Sequence, residues 1–391
     1  MTTPRRATTE TTTSTTLQLV RARVSGPADV AVRELTGRLL FGLQGTPASA
    51  VLYFASSRYD PHALAGPICA AFPSAAVIGC STAGEFTDEV NGTGGICAVA
   101  IPYGVLNGAV AALGELSQDV AAGTQSAVSR IERSIGIQLR DLDPAHHVGF
   151  VLIDGLHGDE EHVNDTLGNA APFLEFVGGS AGDDLTFDRT WVAAGEEVSY
   201  RGVALLVAQS AVPHHIVKTC SFHPTGRVLK VTRADVEGRF VAELGGRPAA
   251  QVYAEAVGVP VGALDASVWM RYPLGLMIDG HPWIRSPQAV VDGGIRFYAQ
   301  LRPGMHVELM AVGDLIEDTR RTMERARQDL AGNVRGAVLF NCILRRLEMD
   351  ADGLGEPFLR ALGPMPVAGF HTYGETWLGH VNQTLTGIVF G

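Results

Sequence analysis

Val367-Ala368-Gly369-Phe370-His371-Thr372-Tyr373-Gly374-Glu375 ends an apolar run with two glycines five apart and an acidic residue directly after the second. The same arrangement stands far upstream, in Val77-Ile78-Gly79-Cys80-Ser81-Thr82-Ala83-Gly84-Glu85. An Asn-x-Thr follows each, at Asn91 and Thr93 and again at Asn382 and Thr384. Between them lies a shortened copy, Phe176-Val177-Gly178-Gly179-Ser180-Ala181-Gly182-Asp183. Short apolar runs bounded by glycine read as buried strands, and glycine lets the backbone turn sharply where they stop. The chain therefore reads as three copies of one unit, each delivering its second strand into a glycine turn.

The spacing around the turns supports this reading. Val51 to Gly79 and Phe150 to Gly178 are both 28 residues, and Gly79 to Ile96 and Gly369 to Thr386 are both 17. The expected fold is α/β: mixed β-sheets flanked by helices, in two modules built from repeated β-α-β-β units. Residues 17–245 would hold two units and residues 246–391 the third, with the boundary at the Gly245-Gly246 turn. Pro248 is placed to start a helix, and a meander of strands from Gly275 to Met310 follows. Gly108 to Leu113 is expected to pair beside the Ile96 strand. Asp119 to Ile135 and Asp314 to Leu330 carry amphipathic helical stripes. The threonine-rich residues 1–16 read as a disordered tail.

Composition narrows the function. With 46% hydrophobic and 18% charged residues, the 391-residue chain can bury a large core. A formal net charge of -11 argues against nucleic acid or an anionic membrane as partner. Val90 to Gly114 is uncharged and long enough to span a bilayer, but its prolines, asparagines and glycines make it strand–turn–strand. Five scattered cysteines without a C-x-x-C pair fit free thiols in a cytoplasmic protein.

The turns themselves are the candidate site. Successive N–H groups in such a turn can form an anion-binding nest, and the acidic residue after it could meet an ammonium. That pairing would suit a small zwitterion such as an amino acid. The candidate ligand-binding residues are Cys80, Ser81, Thr82, Gly84 and Glu85 in the first turn, and Gly179, Ser180 and Asp183 in the second. His371, Gly374 and Glu375 belong to the third. Asn341, Cys342 and Arg345 follow the preceding strand, where α/β sheets hold ligands, with Arg345 as a carboxylate clamp. The plainer reading makes the turns tight connections, Cys342 a buried apolar residue and Arg345 a surface charge.

Two enzymatic alternatives stay open, with Ser180 or Cys342 as nucleophile. Gly178-Gly179-Ser180-Ala181-Gly182 matches G-x-S-x-G but lacks the helix that a nucleophile elbow needs. Neither His146-His147 nor His214-His215 has metal-ligand spacing. With no Walker loop or dinucleotide fingerprint, no metal or cofactor is expected. A protein-interaction scaffold is the third alternative.

The turn sequences resemble the FIST family, named for F-box and intracellular signal transduction. So do the segment Val231-Thr232 to Glu243-Leu244-Gly245-Gly246-Arg247-Pro248-Ala249 and Phe340-Asn341-Cys342-Ile343-Leu344-Arg345. The resemblance covers nearly everything after the threonine tail, with an N-terminal FIST module to about Leu244 and a C-terminal one beyond. It implies a sensory module for small ligands such as amino acids. Bacterial relatives are often fused to signalling output domains, and eukaryotic ones accompany an F-box. Neither is read here, so a separate output protein is the expected partner. His157 stands where the resemblance implies a small polar residue, so no contact is carried over to it.

Overall fold

The computed structural model describes residues 17–391, and the expected tail at 1–16 lies outside them. Three units follow one plan: edge strand, helix, central strand, helix, second central strand, short hairpin, return strand. In unit one these are Val20–Val24, Ala28–Leu43, Ala48–Ser56, Pro61–Ala71, Ala76–Thr82, the hairpin Glu85–Thr87 with Asn91–Gly92, and Ile96–Pro102. In unit two they are Leu106–Glu115, Val120–Ile135, His147–Ile153, Glu160–Ala170, Phe176–Ser180, the hairpin Val192–Ala194 with Glu197–Ser199, and Gly202–Ser210.

Unit three begins with His214–Lys218 and resumes with Leu315–Asp329, Gly336–Cys342 and two helices, Ile343–Asp352 and Gly355–Leu362. Val367–Thr372, the hairpin Glu375–Trp377 with His380–Val381, and Leu385–Phe390 complete it. The expected β-α-β-β core is thus present three times, each preceded by an edge strand and a helix. Gly108 to Leu113 does not pair beside the Ile96 strand. It opens unit two and pairs with that unit's return strand, Leu205 opposite Ala112.

In every unit the central strands run parallel, Val51 beside Val77, Val151 beside Gly178 and Val338 beside Ala368. The hairpins are exchanged in a ring. That of unit one pairs with unit three (Glu85 opposite Phe370), that of unit two with unit one (Val192 opposite Cys80), and that of unit three with unit two (Glu375 opposite Gly179). Each hairpin so covers a strand edge that would otherwise present unpaired N–H and C=O groups.

Both faces of the sheets are buried, which explains near-continuous apolar strands. In Ala48–Ser56, Leu52 and Phe54 point to a core shared by all three units, while Val51, Tyr53 and Ala55 pack under unit one's own helices. At the shared centre the Phe54 and Phe370 rings lie 4.8 Å apart, and Phe340 meets Phe370 edge-on at 5.7 Å. Among the described residues no helix is long and apolar enough to cross a membrane, and Val90 to Gly114 forms strands as expected.

Between His214–Lys218 and Leu315–Asp329 an eight-stranded sheet is inserted, running from Phe222–Asp235 to His306–Val312. It has its own core around Tyr253, Trp269 and Phe297. The division expected near residue 245 falls inside this sheet, where Glu243 pairs with Pro248 and Val231 with Leu244. The double glycine there is a hairpin turn within one sheet, and unit three starts upstream of it, at His214.

Candidate functional site

The three glycine turns meet at the centre of the ring. Ser81, Ser180 and His371 hold the same register position in the three units. Ser81 N–H donates to Trp191 O of unit two at 3.0 Å, Ser180 N–H to Gly374 O of unit three at 2.8 Å, and His371 N–H to Gly84 O of unit one at 2.8 Å. Their carbonyls accept in the same cyclic order, from Gly182, Tyr373 and Ala83 N–H at 3.0, 3.1 and 3.1 Å. These six N–H groups are therefore spent on neighbouring turns and are not free to converge as the expected anion nest.

The glycines serve close packing more than turning. Gly79, Gly178 and Gly369 lie within strands, and a Cβ there would meet the Tyr53 ring at 2.3 Å, Val151 O at 1.7 Å and Leu339 O at 2.2 Å. Gly84 is the position that needs glycine's conformational freedom, at φ +108°.

All fourteen candidate residues are buried, and each side chain is engaged inward. The Glu85 carboxylate accepts from Thr82 Oγ1 at 3.0 Å, Gly95 N–H at 3.1 Å and Arg23 at 3.2 Å. Glu375 repeats the arrangement, accepting from Thr372 Oγ1 and from both Thr384 N–H and Oγ1. Each glutamate ties the start of its hairpin to the return strand. Burial pushes both carboxyls up to about 7. Asp183 is not their counterpart, because Val192 holds that register position. Its carboxylate instead organises the next loop, accepting from Phe187, Asp188 and Arg189 N–H and from the Thr186 and Tyr373 hydroxyls.

Asn341 Nδ2 donates to His371 Nδ1 at 3.0 Å, and His371 Nε2 donates to Asn91 Oδ1 at 2.8 Å. Burial, aided by Arg346 and Arg345, holds this histidine neutral. Arg345 is 1% exposed, against the surface charge of the plainer reading. It donates to Asn341 Oδ1 at 2.9 Å and Thr319 Oγ1 at 2.8 Å. Ser81 Oγ accepts from Trp191 N–H at 3.0 Å, while Cys80 lies in the shared core and Gly179 and Gly374 in the exchanged contacts.

Both candidate nucleophiles are buried beside a carboxyl group, Glu160 for Ser180 and Glu375 for Cys342. Ser180 Oγ donates to Glu160 Oε1 at 3.0 Å and is fully buried. Burial, with Glu375 beside it, raises the Cys342 thiol well above its ordinary value and so favours the thiol over the thiolate.

Beside the hub a cleft of about 810 Å³ opens between unit two, unit three and the inserted sheet. Unit two supplies Leu156 and His157 after its central strand, unit three supplies Ile343, Leu344 and Tyr373, and the insert supplies Arg239, Trp269, Arg296 and Phe297. None of the fourteen candidates lines it. One wall is the loop after Asp183, where Asp184, Leu185 and Phe187 hold left-handed backbones at φ 55°, 67° and 52°. Such conformations cost about 1–3 kcal/mol each and persist where surroundings impose them, often at functional sites. The Asp183 bonds impose them here, and Tyr373 Oη accepts from Leu185 N–H at 3.0 Å. Phe187 stacks on Tyr373 with centroids 5.3 Å apart and is 58% exposed.

Behind the lining residue His157, buried Asp154 accepts from Thr190 Oγ1 and orients the half-exposed His157 ring. Burial raises the Asp154 carboxyl despite these donors. Arg239 fastens the insert to unit two by pairing with Glu160 and Glu161.

Sequence reasoning passed over Tyr373, although a signal was present. At its register position units one and two have Ala83 and Gly182, so it is a bulky residue where its counterparts are small. The insert residues had no comparable signal, since nothing local relates Trp269 or Arg296 to the turns.

Residues 49–247 match the FIST N domain and residues 249–377 the FIST C domain. An uncharacterized protein of Methanocaldococcus jannaschii is 24% identical over 284 residues, 64% of this chain and 55% of that protein. An uncharacterized protein of Mycobacterium bovis is 31% identical over 166 residues, 39% of this chain and 42% of that protein. The chain thus spans about half the length of the curated relatives it matches. A crystal structure of a chorismatase aligns over 96% of this chain and 98% of its own at 10% identity, with a TM-score of 0.34, too slight a likeness to carry an activity across.

Proposed function

Since the chain belongs to the FIST family of sensory signal-transduction modules, we propose that the cleft beside Phe187 and Tyr373 is its receptor site for a small molecule. The observation that carries this reading is the convergence of three parts of the chain, two units of the ring and the insert, on one concavity lined by a strained, exposed aromatic. About 810 Å³ is within the usual range for a small-molecule pocket. Its walls mix aromatic surface with the opposite charges of Arg296 and Glu237, which suits a ligand with an apolar body and both an anionic and a cationic group. An amino acid with an aromatic or branched side chain is the simplest such molecule.

The fourteen hub residues then act through the wall they hold in place. Glu85, Glu375 and Asp183 fix hairpins and the Phe187 loop, and Ser180 with Glu160 braces the helix that carries the Arg239 contact. Because the cleft joins the insert to the ring, ligand binding would bias how insert and ring sit together. That is a physical route for a signal to a separate output protein in the cytoplasm.

Thermal-shift screening with the twenty amino acids at millimolar concentration tests the proposal, because a ligand selective for the folded state raises Tm. A shift that vanishes in Phe187→Ala supports the cleft. A shift that survives there, or no shift with any of them, counts against it.

A further inference from the structure

The sequence uses lysine twice, at Lys218 and Lys230, against 28 arginines. A chain that otherwise supplies positive charge with arginine has put an amine at Lys218. The difference matters chemically, since a guanidinium stays protonated whereas a desolvated lysine can become a neutral nucleophile.

Lys218 ends the edge strand of unit three and lines a second cavity of about 610 Å³, distinct from the cleft above. Its Nζ lies 4.1 Å from the Trp283 ring centroid and 5.2 Å from that of Trp377. The two indoles stack at 5.7 Å and 13°. The charges acting on Lys218 are Cys220 and Arg285, with no carboxylate among them, and burial lowers the amine to about 8. Asp318 lines the same cavity, and its Oδ2 is buried without a hydrogen-bond partner. Burial raises the Asp318 carboxyl against the pull of Arg345. His215, Asp279, His281 and Arg325 complete the titratable lining.

We propose that Lys218 is a covalent capture site for an aldehyde or ketone carried on a flat apolar body, held as an imine against Trp283 and Trp377. The neutral amine attacks the carbonyl carbon, and a proton passes from nitrogen to oxygen to give a carbinolamine. The hydroxyl takes up a proton from solvent and leaves as water. The resulting iminium returns a proton to solvent and leaves a C=N bond, so one carbonyl and one amine yield one imine and one water. An amine at about 8 is roughly three hundredfold more neutral at pH 7 than an ordinary lysine. The stacked indoles provide a flat platform for the carbonyl's substituent.

Benzaldehyde with sodium cyanoborohydride tests this on the full chain, the adduct being located by peptide mass mapping. The expected result is a benzyl group on Lys218 in about tenfold excess over both Lys230 and the amino terminus, saturating with benzaldehyde concentration. The terminus is the reference for an amine of similar basicity. Lys218→Arg should abolish the adduct without lowering Tm, and Trp283→Leu should weaken saturation. Labelling of Lys218 no greater than that of Lys230 or the terminus overturns the proposal, leaving a lysine that only cements two tryptophans. The outcome is independent of amino-acid binding in the first cleft.

Discussion

The Tyr373 hydroxyl donates to the carboxylate of Asp183, 190 residues earlier in the chain, and so joins the turn of unit three to the loop of unit two. The same oxygen accepts from Leu185 N–H at 3.0 Å. Tyr373→Phe keeps the stack on Phe187 but removes both bonds. The expected loss is about 1–2 kcal/mol, concentrated in the loop that these bonds hold in left-handed conformations. Hydrogen exchange should quicken at Leu185 to Arg189 while the sheets stay protected. Unchanged exchange there would show that Asp183 holds the loop unaided.

Glu375 is fully buried, and its oxygens meet the donors of Thr372 and Thr384. Burial raises its carboxyl from 4.5 to about 7, so the folded chain keeps a proton that the unfolded chain has lost. That contribution is fully present below about 4.5 and is lost as the pH rises through about 7. Within this window one retained proton gives a slope of about 1.4 kcal/mol per pH unit. Glu375→Gln can still accept from Thr384 and should flatten this portion of the urea-stability profile. Glu85, raised to about 7 by burial against the pull of Arg23, contributes a second step that the variant retains.

The repeat was legible because it is written in spacing: 28 residues from strand to glycine, 17 from glycine to return strand. Amphipathic helices such as Val120–Ile135 declared themselves by their stripes, and the structure adds the cap, Asp119 accepting from Ala122 N–H. Strand exchange was not legible, since Glu85 and Phe370 pair across most of the chain and nothing local records that partnership. The ring hid the site for the same reason. Conspicuous turn residues, judged singly, look ready for a ligand, yet in the fold each turn satisfies the next. Gly245-Gly246 signals a hairpin turn as readily as a module boundary, and in the fold it is a turn within the inserted sheet.

The first glycine of each turn is held by contact distance, and the three contacts differ in hardness. At Gly178 a new Cβ would lie 1.7 Å from the Val151 carbonyl oxygen, on the adjacent parallel strand. At Gly79 the nearest atoms belong to the buried Tyr53 ring, a side chain and not backbone. Gly178→Ala must push its strand away from the paired neighbour and should cost about 3 kcal/mol, while Gly79→Ala should cost about 1–2 kcal/mol by displacing the ring. Urea midpoints at a common m-value measure the difference. Equal losses at the two sites would mean that the ring is as immobile as the backbone.

Arg239 joins the inserted sheet to the ring through Glu160, which is 2% exposed, and Glu161, whose Oε1 also accepts from Gln300 N–H at 2.7 Å. Burial alone would raise the Glu160 carboxyl, but Arg239 and His380 outweigh it and hold it below its usual range. A depressed carboxylate stabilises the fold above its unfolded value and loses that contribution as the pH falls towards the folded one. Arg239→Met removes the cation and leaves a buried carboxylate facing another acid, which should cost about 3–5 kcal/mol at pH 7. In the variant burial acts unopposed by the arginine and favours the protonated carboxyl, so the penalty should shrink as the pH is lowered towards 4.5, the unfolded value. Tm measured at pH 7 and pH 4.5 for both proteins checks the sign. Adding Glu160→Gln to Arg239→Met should recover some of the loss at pH 7 and little at pH 4.5, since it removes the charge that the arginine had balanced. A deficit that is the same at both pH values would assign Arg239 to packing alone, and the insert would then be held by its apolar contacts.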